Sequence, residues 1–220
     1  MISTKHVLAA LAISAMISAS TGVSSFAAGS QFTDLGSTKD KDKIESLHER
    51  GFVQGLTASQ FKPEQALTAA EGVQLISGGF QLSLAAIDFV KAPEASDHFA
   101  KVPDNAWYAQ AFINAFYNHV DLPSDLDPKA PLTKEQFTFY LIQGMEQAGG
   151  LPMINIKPAA ISDEDQLTPS YQGAIQRSLT YKVNTLNADG AFHPKDKITR
   201  AEAAVMLYNA LEYLQEHKAK

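Results

Sequence analysis

The chain has 220 residues, 45% of them hydrophobic and 19% charged, with a net charge of −6 and no cysteine. Length and composition fit one or two soluble domains with a substantial core. The negative balance excludes long-range attraction to nucleic acid or acidic membrane surfaces, and the missing cysteines exclude disulfides and thiolate metal sites, so packing must supply the stability.

Residues 1–27 read as a secretory signal peptide. Lys5 and His6 form a polar start, Val7 to Ala19 is an apolar run, and Ser25-Phe26-Ala27 puts small residues where a signal peptidase reads. The run is too short and too rich in Ala and Ser for a span of about 20 apolar residues. The mature protein is therefore expected to be secreted, with no membrane attachment after cleavage.

Phe32-Thr33-Asp34 opens the next segment. A charged helix over Asp40 to Arg50 turns Ile44 and Leu47 inward, and Gly51 stands where a helix C-terminal cap belongs. A loop leads to Phe61-Lys62-Pro63. A second helix runs from Thr68 through Val73 and Ile76 until Gly78-Gly79 weakens or ends it. Residues 84–97 form a connector, whose Leu84, Ile87 and Val90 could add a helical turn or two before Pro93.

Phe99 to Val102 parallels that opening. Asp104 or Asn105 is the expected N-cap of a helix whose Trp107, Tyr108, Phe112, Ile113 and Phe116 make the most aromatic face of the chain. Leu126-Asp127-Pro128 then leads into a helix from Thr133, with Phe137, Tyr140, Leu141 and Met145 inward, stopped by Gly149-Gly150. The prolines of residues 151–160 predict an extended connector. Ile161-Ser162-Asp163 opens a third segment. Thr168-Pro169 starts a helix lined by Ala174, Ile175 and Leu179, Asn187 to Gly190 is a tight turn, and Phe192-His193-Pro194 leads into the last helix.

These segments share one signature. In each, a proline precedes a threonine by five positions, an aliphatic residue stands directly before the threonine, and Glu or Gln follows three later: Thr68/Glu71, Thr133/Gln136 and Thr199/Glu202. Thr-x-x-Glu/Gln before an apolar periodic run is a helix-capping box, and each threonine is worth roughly 1 kcal/mol as a cap. Three matches in register are an internal repeat of helix, loop and helix, whose copies must share buried surface. The domain plan is 32–82, 99–148 and 161–213, joined by connectors 83–98 and 149–160.

Arg200 does not fit a purely structural account. It occupies the first helical position, where the helix dipole disfavours a cation by roughly 0.3–1 kcal/mol. A cation there is explained if an anion shares the site with free helix N–H groups.

With Asp189-Gly190-Ala191-Phe192-His193-Pro194 and Ile198-Thr199-Arg200-Ala201-Glu202, the chain resembles S-layer homology domains. The resemblance covers residues 32–213 as three copies, with no appended domain. It implies an all-α, three-pronged pseudo-trimer made from one chain, attached to the bacterial cell wall through a secondary cell-wall polysaccharide, typically pyruvylated. Binding grooves would lie between repeats, with the ketal carboxylate held by Arg200 and Lys134 beside Thr199 and Thr133, and the sugar ordered by Asp163, Asp34, Trp107 and the Gly51 region. The repeats depart from the family pattern. The arginine position is Ala69 in the first repeat and Lys134 in the second, the opening aspartate is Lys101 in the second, and the glycine after the first helix survives only as Gly51. At most two grooves look competent.

Other readings stand beside these. Asp34 and Asp163 suit a sugar or a loop backbone equally. On an aromatic helix face Trp107 reads as core, although it could stack on a sugar. Asn187, Asp189 and Asp196 only faintly suggest a calcium loop, since no bidentate glutamate closes it, so no metal and no cofactor is expected. No nucleophile or metalloprotease motif is present, and the repeats consume the mature chain, so no enzyme is expected. The alternative function is a degenerate module that binds another cell-surface protein instead of glycan.

Overall fold

The computed structural model describes residues 32–151 and 155–217. The expected signal peptide lies outside the described residues, as does part of the second connector. Among them the chain is all-α. Six helices occur in order: α1 (Lys41–Glu49), α2 (Ala69–Gly79), α3 (Ala109–Tyr117), α4 (Lys134–Gly149), α5 (Pro169–Thr180) and α6 (Arg200–His217).

The second helix of each repeat forms the centre. α2, α4 and α6 pack against one another, and each takes the first helix of the next repeat on its outer side: α3 on α2, α5 on α4 and α1 on α6. Small residues permit the central approach. A Cβ added at Gly79 would stand 2.6 Å from Leu207, and one at Gly144 would stand 2.8 Å from Ile76. Ala210, at the matching position of α6, is fully buried.

The segments just before these three helices close into a ring. The Leu67 N–H donates to Ile198 O, Ile198 N–H to Leu132 O, and Leu132 N–H to Leu67 O, at 2.9–3.1 Å. The aliphatic residue before each threonine is thereby buried at the centre, with Leu67 at 3%, Leu132 at 1% and Ile198 at 1% exposure. The alternation of a buried aliphatic and a capping threonine in the sequence thus serves two jobs at adjacent positions.

The first helices all end in the same left-handed turn. The residue past the cap has φ of 78° at Gly51, 58° at His119 and 57° at Lys182. The following residue, Phe52, Val120 or Val183, donates its N–H back to Leu47, Ala115 or Ser178, the closure of a Schellman motif.

Two local expectations need correction. The helix of the second repeat does not start at Asp104 or Asn105 but at Ala109. Asp104 is taken by Ser96, whose N–H and hydroxyl both donate to its carboxylate at 2.8 Å. Trp107 and Tyr108 therefore precede the helix, and Trp107 is 66% exposed, not core. The connector after α2 adds no helix at Leu84. It makes one turn, Ile87 N–H to Leu84 O, because Ile87 and Val90 find no apolar surface to bury against.

Candidate functional site

Thr68, Thr133 and Thr199 accept from the N–H of Glu71, Gln136 and Glu202 at 3.2–3.3 Å, and those side chains return the bond to the threonine N–H at 2.8–3.0 Å. The two residues between them are tied to the next repeat. The N–H groups of Ala69, Lys134 and Arg200 donate to Ala130, Asp196 and Gln65, and those of Ala70, Glu135 and Ala201 donate to the carbonyls of Pro128, Pro194 and Pro63. This corrects the expectation of free helix N–H groups for an anion. The first two amides of each helix are used to dock it on the neighbouring loop, the third is held by the capping threonine, and the proline fixed five residues before each threonine supplies an acceptor.

Asp34 and Asp163 face the loop backbone. Asp34 accepts from Phe61 N–H at 2.9 Å and Lys62 N–H at 2.8 Å, and Asp163 accepts from Phe192 and His193 N–H, both at 2.8 Å. Lys62 and His193 are left-handed, with φ of 61° and 58°. Burial raises both carboxyls, but the backbone donors prevail and hold them below their ordinary value of 3.8. In the second repeat, where Lys101 replaces the aspartate, Asp127 lacks the positive φ.

The first helical position then distinguishes the three grooves. Ala69 is fully buried and brings no charge. Arg200 is fully engaged. Its Nε donates to Phe61 O at 2.9 Å, Nη2 to Gln54 O at 3.0 Å, and Nη1 meets Glu71 Oε1 at 3.3 Å, with the guanidinium 4.8 Å above the Phe61 ring. The anion that explains its awkward position is a carboxylate of the same chain. Its pocket is small, about 130 Å³, and lined by Phe52, Leu75 and Ala204.

Lys134 holds the corresponding place over Phe192, 4.9 Å from the ring centre, but its ammonium makes no hydrogen bond or ion pair among the described residues. Burial pushes its ammonium below the ordinary lysine range, and the more distant carboxylates of Glu202, Asp196 and Asp163 offset this only in part. It lines a cavity of about 370 Å³ with Thr199, Glu202, Asn184, Thr185 and Asn187, over an apolar floor that includes Val183 and Met206. Thr38, Lys39, Asp40 and Glu64 of the first repeat also line it.

Beneath the cavity the polar groups are fixed. Asn184 donates to Thr138 Oγ1 at 3.1 Å and to Ser178 Oγ at 3.2 Å, while Thr138 donates to Lys134 O at 2.7 Å. Glu135, only 3% exposed, accepts from Thr168 N–H at 3.0 Å and from its hydroxyl at 2.9 Å, and pairs with Lys195. A side chain of the second repeat thus caps α5 of the third.

Of the sequence-derived candidates, Lys134 and Thr199 meet in one cavity. Arg200 lies in another, Thr133 is a cap, Gly51 is a helix stop, and Trp107 lies outside both linings, edge-on to Tyr108 at 5.2 Å. Asn184 and Thr185 escape the sequence reading as groove residues, and Asn187 reads there only as a turn or a faint calcium ligand. The one signal for the first two is placement just after the left-handed turn at Lys182.

The family model of the S-layer homology domain matches residues 160–204. The chain carries an S-layer homology domain. Such domains belong to cell-surface proteins, and no helix among the described residues is long and apolar enough to cross a membrane. The match ends inside α6 and includes Asp163, Phe192, Thr199 and Arg200. Over most of its length the chain is also similar to three enzymes. It is 27% identical to an amylopullulanase of Thermoanaerobacterium thermosulfurigenes, over 82% of this chain and 9% of that protein. It is 26% identical to the exoglucanase XynX of Acetivibrio thermocellus, over 82% of this chain and 16% of that protein, and 22% identical to an endoglucanase of Bacillus sp. strain KSM-635, over 79% and 18%. The SLH-bearing chain therefore spans less than a fifth of each of these relatives.

Proposed function

We propose that this protein is a non-catalytic cell-wall anchor, whose three SLH repeats form a single-chain pseudo-trimer that holds an anionic, pyruvylated secondary cell-wall polysaccharide. The division into repeats at 32–82, 99–148 and 161–213 belongs to this reading, and the hydrogen-bonded ring at Leu67, Leu132 and Ile198 supports it. The small share of each enzyme relative that the chain matches supports a role apart from their catalysis.

The observation that carries the glycan reading is Lys134. A desolvated cation without a counter-ion, above an aromatic ring and beside a 370 Å³ cavity, is costly unless an anion arrives. A ketal carboxylate would supply the charge, and the side chains of Thr185 and Asn187 on the cavity wall would meet the sugar. Titration calorimetry with purified pyruvylated wall polysaccharide tests this. Wild type is expected to bind, and Lys134→Ala is expected to lose at least tenfold in affinity. Unchanged binding by the variant sinks this assignment.

A second reading has its own observation. Trp107 is 66% exposed and Phe116 40%, a surface suited to another cell-surface protein. Binding to walls chemically stripped of polysaccharide would favour it.

A further inference from the structure

The cation at the first helical position and the acid three residues into the box vary together around the ring. Arg200 faces Glu71 of the next repeat, Lys134 is drawn toward Glu202 of the next, and where the cation is Ala69 the box residue of the next repeat is Gln136. Glu71 serves two partners at once. Oε2 closes the capping box with Thr68, and Oε1 meets Arg200. Lysine has the shorter reach and a single charged nitrogen, so Lys134 stays apart from Glu202 and its cavity stays open. The Arg200 pocket, with the arginine side chain 11% exposed, is filled from within.

We propose that Glu71 is an internal stand-in for the ligand carboxylate, which latches the Arg200 pocket shut and leaves the protein with one working anion groove. The latch rests on the carboxylate-binding reading above. Its release needs only the loss of one negative charge, because Gln136 shows that an amide closes the same box, accepting from Thr133 N–H at 3.0 Å.

The test uses the full chain and a methyl hexopyranoside bearing a 4,6-pyruvate ketal, with the neutral 4,6-isopropylidene sugar as control. Binding is followed by calorimetry for wild type, Lys134→Ala, and Glu71→Gln in the Lys134→Ala background, with folding checked by thermal melts. The double variant is expected to bind the acid at least tenfold more tightly than Lys134→Ala does, to prefer it over the neutral sugar, and to lose it again on Arg200→Gln. If wild type binds and the folded double variant gains nothing, the latch is wrong and the Lys134 reading stands. If the double variant gains a site but wild type binds nothing, the latch stands and the Lys134 reading fails. If neither binds, both fall. Should Glu71→Gln not fold, Glu71→Asp withdraws the carboxylate from Arg200 by one methylene, and the same outcomes apply.

Discussion

On the proposed carboxylate-binding reading, function and stability pull in opposite directions at position 134, and at position 200 they do not. Lys134→Met should raise the melting temperature, since it removes a partly desolvated charge with no ion pair, while ending carboxylate binding. Arg200→Ala should lower stability by roughly 1.5–3 kcal/mol, because it frees Glu71 and two backbone carbonyls that join the first and third repeats. Paired denaturation curves check both signs. The aspartates add a pH dependence. Asp163 titrates lower in the folded protein than its ordinary 3.8, so its stabilisation is complete above that value and lost as pH falls through the folded one. Asp163→Asn should cost about 1.5–3 kcal/mol near neutral pH and flatten the acid limb of stability against pH. The motif residues were legible as types, but their partners were not. Arg200 reads as a ligand cation in sequence because Glu71 stands 129 residues away along the chain. Equally, nothing in the spacing says that Asp34 reaches Phe61 and Lys62 and not a sugar.

The helices with capping boxes were legible down to their first residue, because Thr-x-x-Glu/Gln is a local signal and the structure uses it locally. The start of α3 was not, because Asp104 is spent on Ser96, a tertiary contact that overrides the cap preference. The stops of α1, α3 and α5 share one left-handed residue, and two of the three are not glycine. An L-residue there costs roughly 1–2 kcal/mol, partly balanced by glycine's greater freedom in the unfolded chain. Lys182 is exposed and its side chain makes no specific contact in the grooves, so Lys182→Gly should stabilise by up to about 1 kcal/mol, read from the urea midpoint at constant slope. Such a gain would show that this stop is set by backbone shape.

For the whole molecule, the all-α class and the recurrence of the capping box were visible in the sequence. What was hidden is how the three segments join. Each helix start docks on the loop of the following repeat, so every junction has a donor side and an acceptor side, and the third junction returns to the first. In symmetry terms this is a head-to-tail contact that closes only at three. A piece with two repeats, residues 32–148, would keep one junction and leave the α4 amides of Lys134 and Glu135 without acceptors, along with the carbonyls of Pro63 and Gln65 without donors. Those two ends are complementary. The truncated chain should therefore associate with itself, its mass in light scattering rising with concentration, whereas the intact chain has no end to offer. Joining the last segment to the first thus does more than complete a core: it leaves no open end from which similar modules could add on into a filament.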